Sequence, residues 1–292
     1  MCIRDRSWRC HWRCTGAADR PALVLLHGFG ASSGHWRDNA EAIAAAGYHV
    51  YAMDLLGFGQ SDQPGGRLDN RLWSRQLQCF LEQIVGKPAV VVGNSLGSLV
   101  GLTTAVFRPE LVLAVAAAPL PDPTLLSPLP LRRSPWSRRW QRWLVLLVSR
   151  CLPLGLLIAV LRQNRLLRMG LASAYAGSER IDNELVQLIR WPASRSTAGR
   201  ALGAMVRGMA LRPARATAPQ LLLRLNRPLL LLWGQRDRLV PRVIAERVVQ
   251  QAPGGLAELH WLEGLGHCPH DEAPETINTA LISWLKQQSP TR

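Results

Sequence analysis

The 292-residue chain predicts a doubly wound α/β fold, a mostly parallel sheet with an inserted helical cap. Short apolar runs near 21–26, 48–53, 89–92, 111–118, 228–233 and 256–262 alternate with helical patterns and end in Gly-containing or polar loops, as parallel strands with crossover helices do. The alternation breaks from Pro119 to about Ala218, where five prolines in twelve residues open a segment of long apolar helical stretches. Hydrophobic residues make up 48 % of the chain, which excludes a disordered class and allows a sizeable core. These observations assign residues 7–118 and 219–292 to the core and 119–218 to the cap.

The elements follow in order. Residues 1–6 lack periodicity and resemble translated adapter sequence, so they are set aside, with the expectation that a true N-terminal segment is missing. Trp8, Cys10, Trp12 and Cys14 alternate with Arg9, His11 and Arg13, which predicts a half-buried antiparallel strand. Pro21 to Leu26 reads as a buried parallel strand ending in His27-Gly28-Phe29-Gly30. A helix is expected over 36–46, a strand over 48–53 and a long loop from Asp54 to Pro64, whose acids Asp54 and Asp62 read as loop-stabilising. A helix over 68–85 leads to the strand at Val90. The helix after Ser95 stops at Arg108-Pro109, and Leu111 to Ala118 is the next strand. Beyond the cap come a strand ending near Trp233, a helix starting at Pro241, a strand over 256–262 and a helix over 274–286.

Val90-Val91-Val92-Gly93-Asn94-Ser95-Leu96-Gly97 has the form G-x-S-x-G after an apolar β-branched run. Such a turn holds its serine in a strained conformation at a helix N-terminus, with small neighbours because strand and helix nearly touch. Ser95 is thus a candidate nucleophile. The amides of Leu96 and Phe29 are candidate oxyanion donors. Asp237 follows a predicted strand and His267 follows the last one, so Ser95, Asp237 and His267 occur as nucleophile, acid and base at one sheet edge. His270 is a rival base and Asp122 a rival acid. Cys268 lacks an elbow, and His27 belongs to the oxyanion loop.

The chain carries 35 basic and 20 acidic residues, a net charge of +15. No Asp or Glu occurs between Asp122 and Glu179, whereas nine arginines fall between Leu131 and Met169, so the basic field sits in the cap. There it accompanies Trp136, Trp140, Trp143 and an apolar run from Leu144 to Leu161, interrupted at Ser149-Arg150, Pro153 and Gly155. Arginine and tryptophan beside bulky aliphatics suit an interfacial helix on an anionic membrane; the alternative is a cap packed on the core with solvated arginines. A nucleic-acid partner is not expected. The six cysteines have no zinc spacing, and Cys10 and Cys14 on one strand would lie roughly 13 Å apart at about 3.3 Å per residue. Reduced thiols and no visible secretory signal read as a cytoplasmic protein, peripheral to a membrane in the interfacial reading. No cofactor or metal is expected.

Over nearly its whole length the chain resembles the α/β-hydrolase superfamily. DLLGFGQSDQP at Asp54–Pro64, GNSLG at Gly93–Gly97 and GHCPHDEAPE at Gly266–Glu275 resemble the motifs of pheophytinase and related chlorophyll-dephytylating enzymes, although Ser98 stands where a second glycine is usual. The resemblance implies a serine triad that hydrolyses the phytyl ester of chlorophyll-type pigments. General lipase or esterase activity, C–C bond hydrolysis, perhydrolase-type haloperoxidase chemistry and a non-catalytic lipid or pigment binder are the alternatives.

Overall fold

A computed structural model describes residues 2–3, 6–126, 136, 139–140, 143–147 and 153–288. Seven strands form one sheet: β1 (Trp12–Thr15), β2 (Ala22–Leu26), β3 (His49–Met53), β4 (Ala89–Asn94), β5 (Val112–Ala118), β6 (Leu229–Gly234) and β7 (Ala257–Leu262). Their spatial order is β1-β3-β2-β4-β5-β6-β7, with β1 antiparallel to β3 and every other pairing parallel. The chain starts at one edge with β1, enters the parallel part at β2, returns to place β3 between the two, and then adds β4 to β7 on the other side, as the doubly wound pattern requires.

The central strands are continuous apolar runs because both of their faces are covered. Val24, Leu26, Val91 and Val115 pack towards α2 (Asn70–Phe80) and α3 (Leu96–Phe107). Leu25, Val92 and Ala116 pack with Ile43 of α1 (Ala40–Ala45) and with Trp284 and Leu285 of the C-terminal helix, Pro274–Gln288.

Three expectations shift. Of the N-terminal strand only Trp12–Thr15 pairs; residues 9–11 instead bind the loop after β3, through Arg9 N to Asp62 and His11 N to Ser61 Oγ. The expected helix over 36–46 splits into a 3-10 turn, Ser33–Trp36, and α1, and between them Arg37 binds Asp271 and Asn39 binds the His270 carbonyl and Asn278. Residues set aside at the N-terminus include a short antiparallel pair, Cys2–Ile3 with Arg6–Ser7.

Between β5 and β6 lie α4 (Leu154–Leu161), α5 (Asn164–Ala174), α6 (Asn183–Ala193), α7 (Ala198–Ala210) and α8 (Ala218–Leu222). The interruption at Ser149-Arg150 and the last four residues of the proline-rich opening, 127–130, lie outside the described residues. Helices α4 and α7 approach closely: a Cβ on Gly199 would lie 2.8 Å from the Gly155 Cα. Asp122 ties the two ends of the insert together, accepting from Arg212 Nη2 at 2.6 Å and from the amide of Ala218 at 2.7 Å. That commits the rival acid to a different task.

Candidate active site

Ser95 connects β4 to α3 with φ 52° and ψ −113°, and among the described residues it is the one non-glycine with positive φ. Non-glycine residues persist in such backbone only where the surroundings impose it. Here the constraint is the close crossing of strand and helix. A Cβ on Gly97 would lie 2.3 Å from the Leu26 carbonyl oxygen, and one on Gly93 equally close to the Gly97 backbone. Ser98 adds a staple, donating to Gly93 O at 2.7 Å and accepting from the amide of Ala118 at 3.2 Å. The serine at the glycine position therefore closes the elbow onto β5. Because strain is stored here, Ser95→Gly should be more stable than Ser95→Ala by about 1 kcal/mol. Urea unfolding of the two variants measures the difference, and equal midpoints would remove strain from the account.

Gly28 lets the loop after β2 approach the elbow: a Cβ there would sit 2.4 Å from Asn94 Oδ1 and 3.3 Å from the Ser95 Cβ. His27 has a structural role. Its Nδ1 donates to Gly28 O at 2.7 Å and its Nε2 accepts from the amide of Leu55 at 3.0 Å, and burial lowers its pKa. Leu96 opens α3, so its amide has no carbonyl one turn earlier within the helix. Asp54 accepts from the amides of Ser33 and Gln60 and meets His11 Nδ1, and Asp62 accepts from the amide of Arg9, the loop-stabilising roles expected of both acids.

At the far end of the same edge, His267 Nδ1 lies 2.9 Å from Asp237 Oδ2. The other oxygen of Asp237 accepts from the amides of Leu239 and Val240, at 2.8 and 2.9 Å. A carboxylate so held accepts the Nδ1 proton, leaving Nε2 as the basic nitrogen of a neutral ring. The loop is brought to the elbow by Asn94, whose Nδ2 donates to His267 O at 3.0 Å and to Ala118 O at 2.5 Å. Asn94 is thus an organising residue that sequence reading passed over as the variable position of G-x-S-x-G. Cys268 is buried, and burial with Glu272 and Asp271 raises its thiol well above the ordinary value, which fits an inert side chain.

The insert holds the histidine loop from the other side. The His267 amide donates to Ala174 O at 2.7 Å, and Glu272 accepts from the amides of Ala176, Gly266 and Cys268 at 2.8, 3.0 and 3.2 Å. Beside it runs a buried polar chain. Tyr175 donates to Asp271 Oδ2 at 2.8 Å, so it accepts from His35 Nε2 at 2.8 Å, and His35 Nδ1 then accepts from His270 Nε2 at 3.3 Å. Both histidines are neutral in this pattern, and His270, tilted against Trp36 with ring centroids 4.2 Å apart, is committed away from the elbow. Burial lowers the His35 pKa to about 4 and the His270 pKa well below its ordinary value. A depressed histidine pKa contributes stability that is complete above the unfolded value of about 6.5 and is lost as pH falls towards 4, on the order of 3 kcal/mol for His35. Burial raises the Glu272 pKa, so that group opposes part of the loss. Urea unfolding from pH 7.5 to 4 should show stability declining below pH 6.5. The double substitution His35→Gln, His270→Gln should reduce the decline, with buried His27 keeping a part of it, and a flat wild-type profile would contradict the assignment.

A cavity of about 200 Å³ lies between insert and core, with Phe29, Gly30, Phe58 and Gln63 on one wall and Ile158, Leu161, Ile189 and Met205 on the other. Phe29, 63 % exposed, links it to the loop after β2. Among the described residues no cluster of His, Cys, Asp or Glu could hold a metal ion.

The sheet order and the elbow are those of the alpha/beta hydrolase family, to which this chain belongs; the family model matches residues 23–280. It is 28 % identical, over 96 % of its length and 91 % of the relative's, to the 2-hydroxy-6-oxononadienedioate/2-hydroxy-6-oxononatrienedioate hydrolase of Paraburkholderia phymatum. Identity to the haloalkane dehalogenase of Mycobacterium marinum is also 28 %, covering 94 % and 88 %. With the chloroplastic pheophytinase of Arabidopsis thaliana it is 24 %, covering 95 % of this chain and 64 % of that protein. The names of these relatives give different substrates.

Proposed function

We propose a serine hydrolase that cleaves a hydrophobic carboxylic ester through an acyl-enzyme. One observation carries this reading: a serine in strained strand-to-helix backbone shares a sheet edge with a buried Asp237–His267 pair. His267 Nε2 takes the Ser95 proton as Oγ attacks the ester carbonyl, and the amides of Phe29 and Leu96 receive the oxyanion. Collapse breaks the C–O bond, and His267 returns the proton to the departing alcohol. Water then repeats the sequence on the acyl-enzyme. A serine displacing halide from an alkyl carbon would form an ether that water does not release, so the nucleophile favours acyl transfer over dehalogenation.

The favoured substrate is the phytyl ester of a chlorophyll-type pigment, supported by the motifs at 54–64 and 266–275, the pheophytinase relative and the apolar slot behind Phe29. A second reading, C–C bond hydrolysis, rests on the Paraburkholderia relative. A fluorophosphonate probe should label the wild type and spare Ser95→Ala; a folded wild type that takes no label ends the enzyme reading. Incubation with pheophytin, chlorophyll, short p-nitrophenyl esters and a vinylogous 1,5-diketone then separates the substrates. Turnover of the diketone or of short esters without pigment product removes dephytylation.

A further inference from the structure

We infer that the outward face of the insert docks on an anionic membrane surface. Helix α4 is apolar at every position, yet of its eight residues only Leu154 is buried. Leu156 is 65 % exposed, and Leu157, Val160 and Leu161 are also exposed. Trp140 and Trp143 stack at 5.2 Å and are both more than half exposed, and Trp136 is exposed as well. Isolated exposed apolar residues are ordinary, but a whole helix face with three tryptophans beside it in sequence marks an interaction surface.

Charge selects the occupant. The 56 positions between Asp122 and Glu179 hold no acid and nine arginines, of which Arg139 and Arg165 are exposed. A second copy meeting this face by two-fold symmetry would set two strongly basic surfaces against each other. A nucleic acid would satisfy the arginines and leave Leu156, Leu157 and Val160 in water. An anionic bilayer satisfies both, since aliphatic and tryptophan side chains enter the interface while arginines reach the headgroups. Among the described residues no helix is long and apolar enough to cross a membrane. The geometry also gives docking a consequence. Ile158 and Leu161 of the same helix line the slot that reaches Phe29, so a docked insert holds the slot mouth at the depth where lipid chains begin.

The test is flotation of the full chain with vesicles of phosphatidylcholine alone or mixed with phosphatidylglycerol. Binding is expected only with phosphatidylglycerol and is lost at about 0.5 M salt. The double substitution Arg139→Gln, Arg165→Gln should weaken binding roughly thirty-fold, and Leu156→Asp should weaken it independently. None of these residues lines the slot, so hydrolysis of a short soluble ester stays unchanged. Ser95→Ala should float like the wild type, which separates this inference from the hydrolase reading. Equal binding to both vesicle types, no binding to either, or binding insensitive to Leu156→Asp would overturn the proposal. So would a dimer in solution that Leu156→Asp dissociates, or binding to single-stranded RNA that outcompetes the vesicles.

Discussion

Ser95→Ala is expected to lower turnover by about a millionfold, and Asp237→Asn by about ten-thousandfold, the losses seen when the corresponding groups are removed from serine proteases. The two differ for a structural reason. Alanine deletes the hydroxyl that the proposed mechanism uses as nucleophile. Asparagine keeps the hydrogen bonds from Leu239 and Val240 and the packing around a fully buried side chain, but it can present an amide N–H to His267 Nδ1 and force the proton onto Nε2. The ring then meets Ser95 with a donor where an acceptor is needed. Steady-state kinetics of both variants, with circular dichroism to verify folding, checks the assignment. An Asp237→Asn protein retaining a tenth of wild-type activity would mean that Asp237 does not set the tautomer. Asp122→Asn serves as the comparison, since Asp122 is bound to Arg212 and Ala218, and its loss should appear in stability.

The largest expected stability effect is at Asp271. Its side chain is fully buried and accepts from Arg37 Nε at 2.8 Å, Arg180 Nη2 at 3.1 Å and Tyr175 at 2.8 Å. Burial pushes its carboxyl up, and the bonds from Arg37 and Tyr175, with the nearby charges, more than reverse that, so it lies below the ordinary carboxylate value. Asp271→Ala leaves a largely buried guanidinium with Asp182, Glu184 and the Arg180 carbonyl but without its buried counter-charge, and removes the acceptor for the Tyr175 hydroxyl. Removing one partner of a buried pair costs about 3–5 kcal/mol, or roughly 10 °C of melting temperature in a chain of this size. Tyr175, Arg180 and Asp182 belong to the insert, so limited proteolysis should open that segment first. A loss under about 1 kcal/mol in urea unfolding would show that Arg37 is satisfied without Asp271.

Much of the site was legible because its chemistry is local. The elbow is five consecutive residues whose glycines are dictated by one strand-to-helix crossing, and His27-Gly28-Phe29 is a turn directly after a buried strand. Asp237 and His267 could be ranked because each follows a strand, and parallel strands deliver their carboxyl ends to one edge. The bracing of the site was not legible. Tyr175 meets Asp271 across 96 residues, His35 meets His270 across 235, and Asn94 reaches the His267 carbonyl across 173. Such pairs leave no periodicity and no composition signal. Ser98 read as a departure from a glycine position, and only the β5 amide above it shows what the hydroxyl does.

The sequence by itself determined the sheet, the insert's place between β5 and β6, the family and the chain order of Ser95, Asp237 and His267 past strand ends, because each rests on hydrophobic patterning or on short motifs with steric requirements. Only the tertiary structure decided that Asp122 closes the insert, that His270 belongs to a neutral buried chain, and that insert residues 174–176 hold the histidine loop. Those roles depend on which polar groups are forced together out of water, and burial makes each partner obligatory only after the chain has folded.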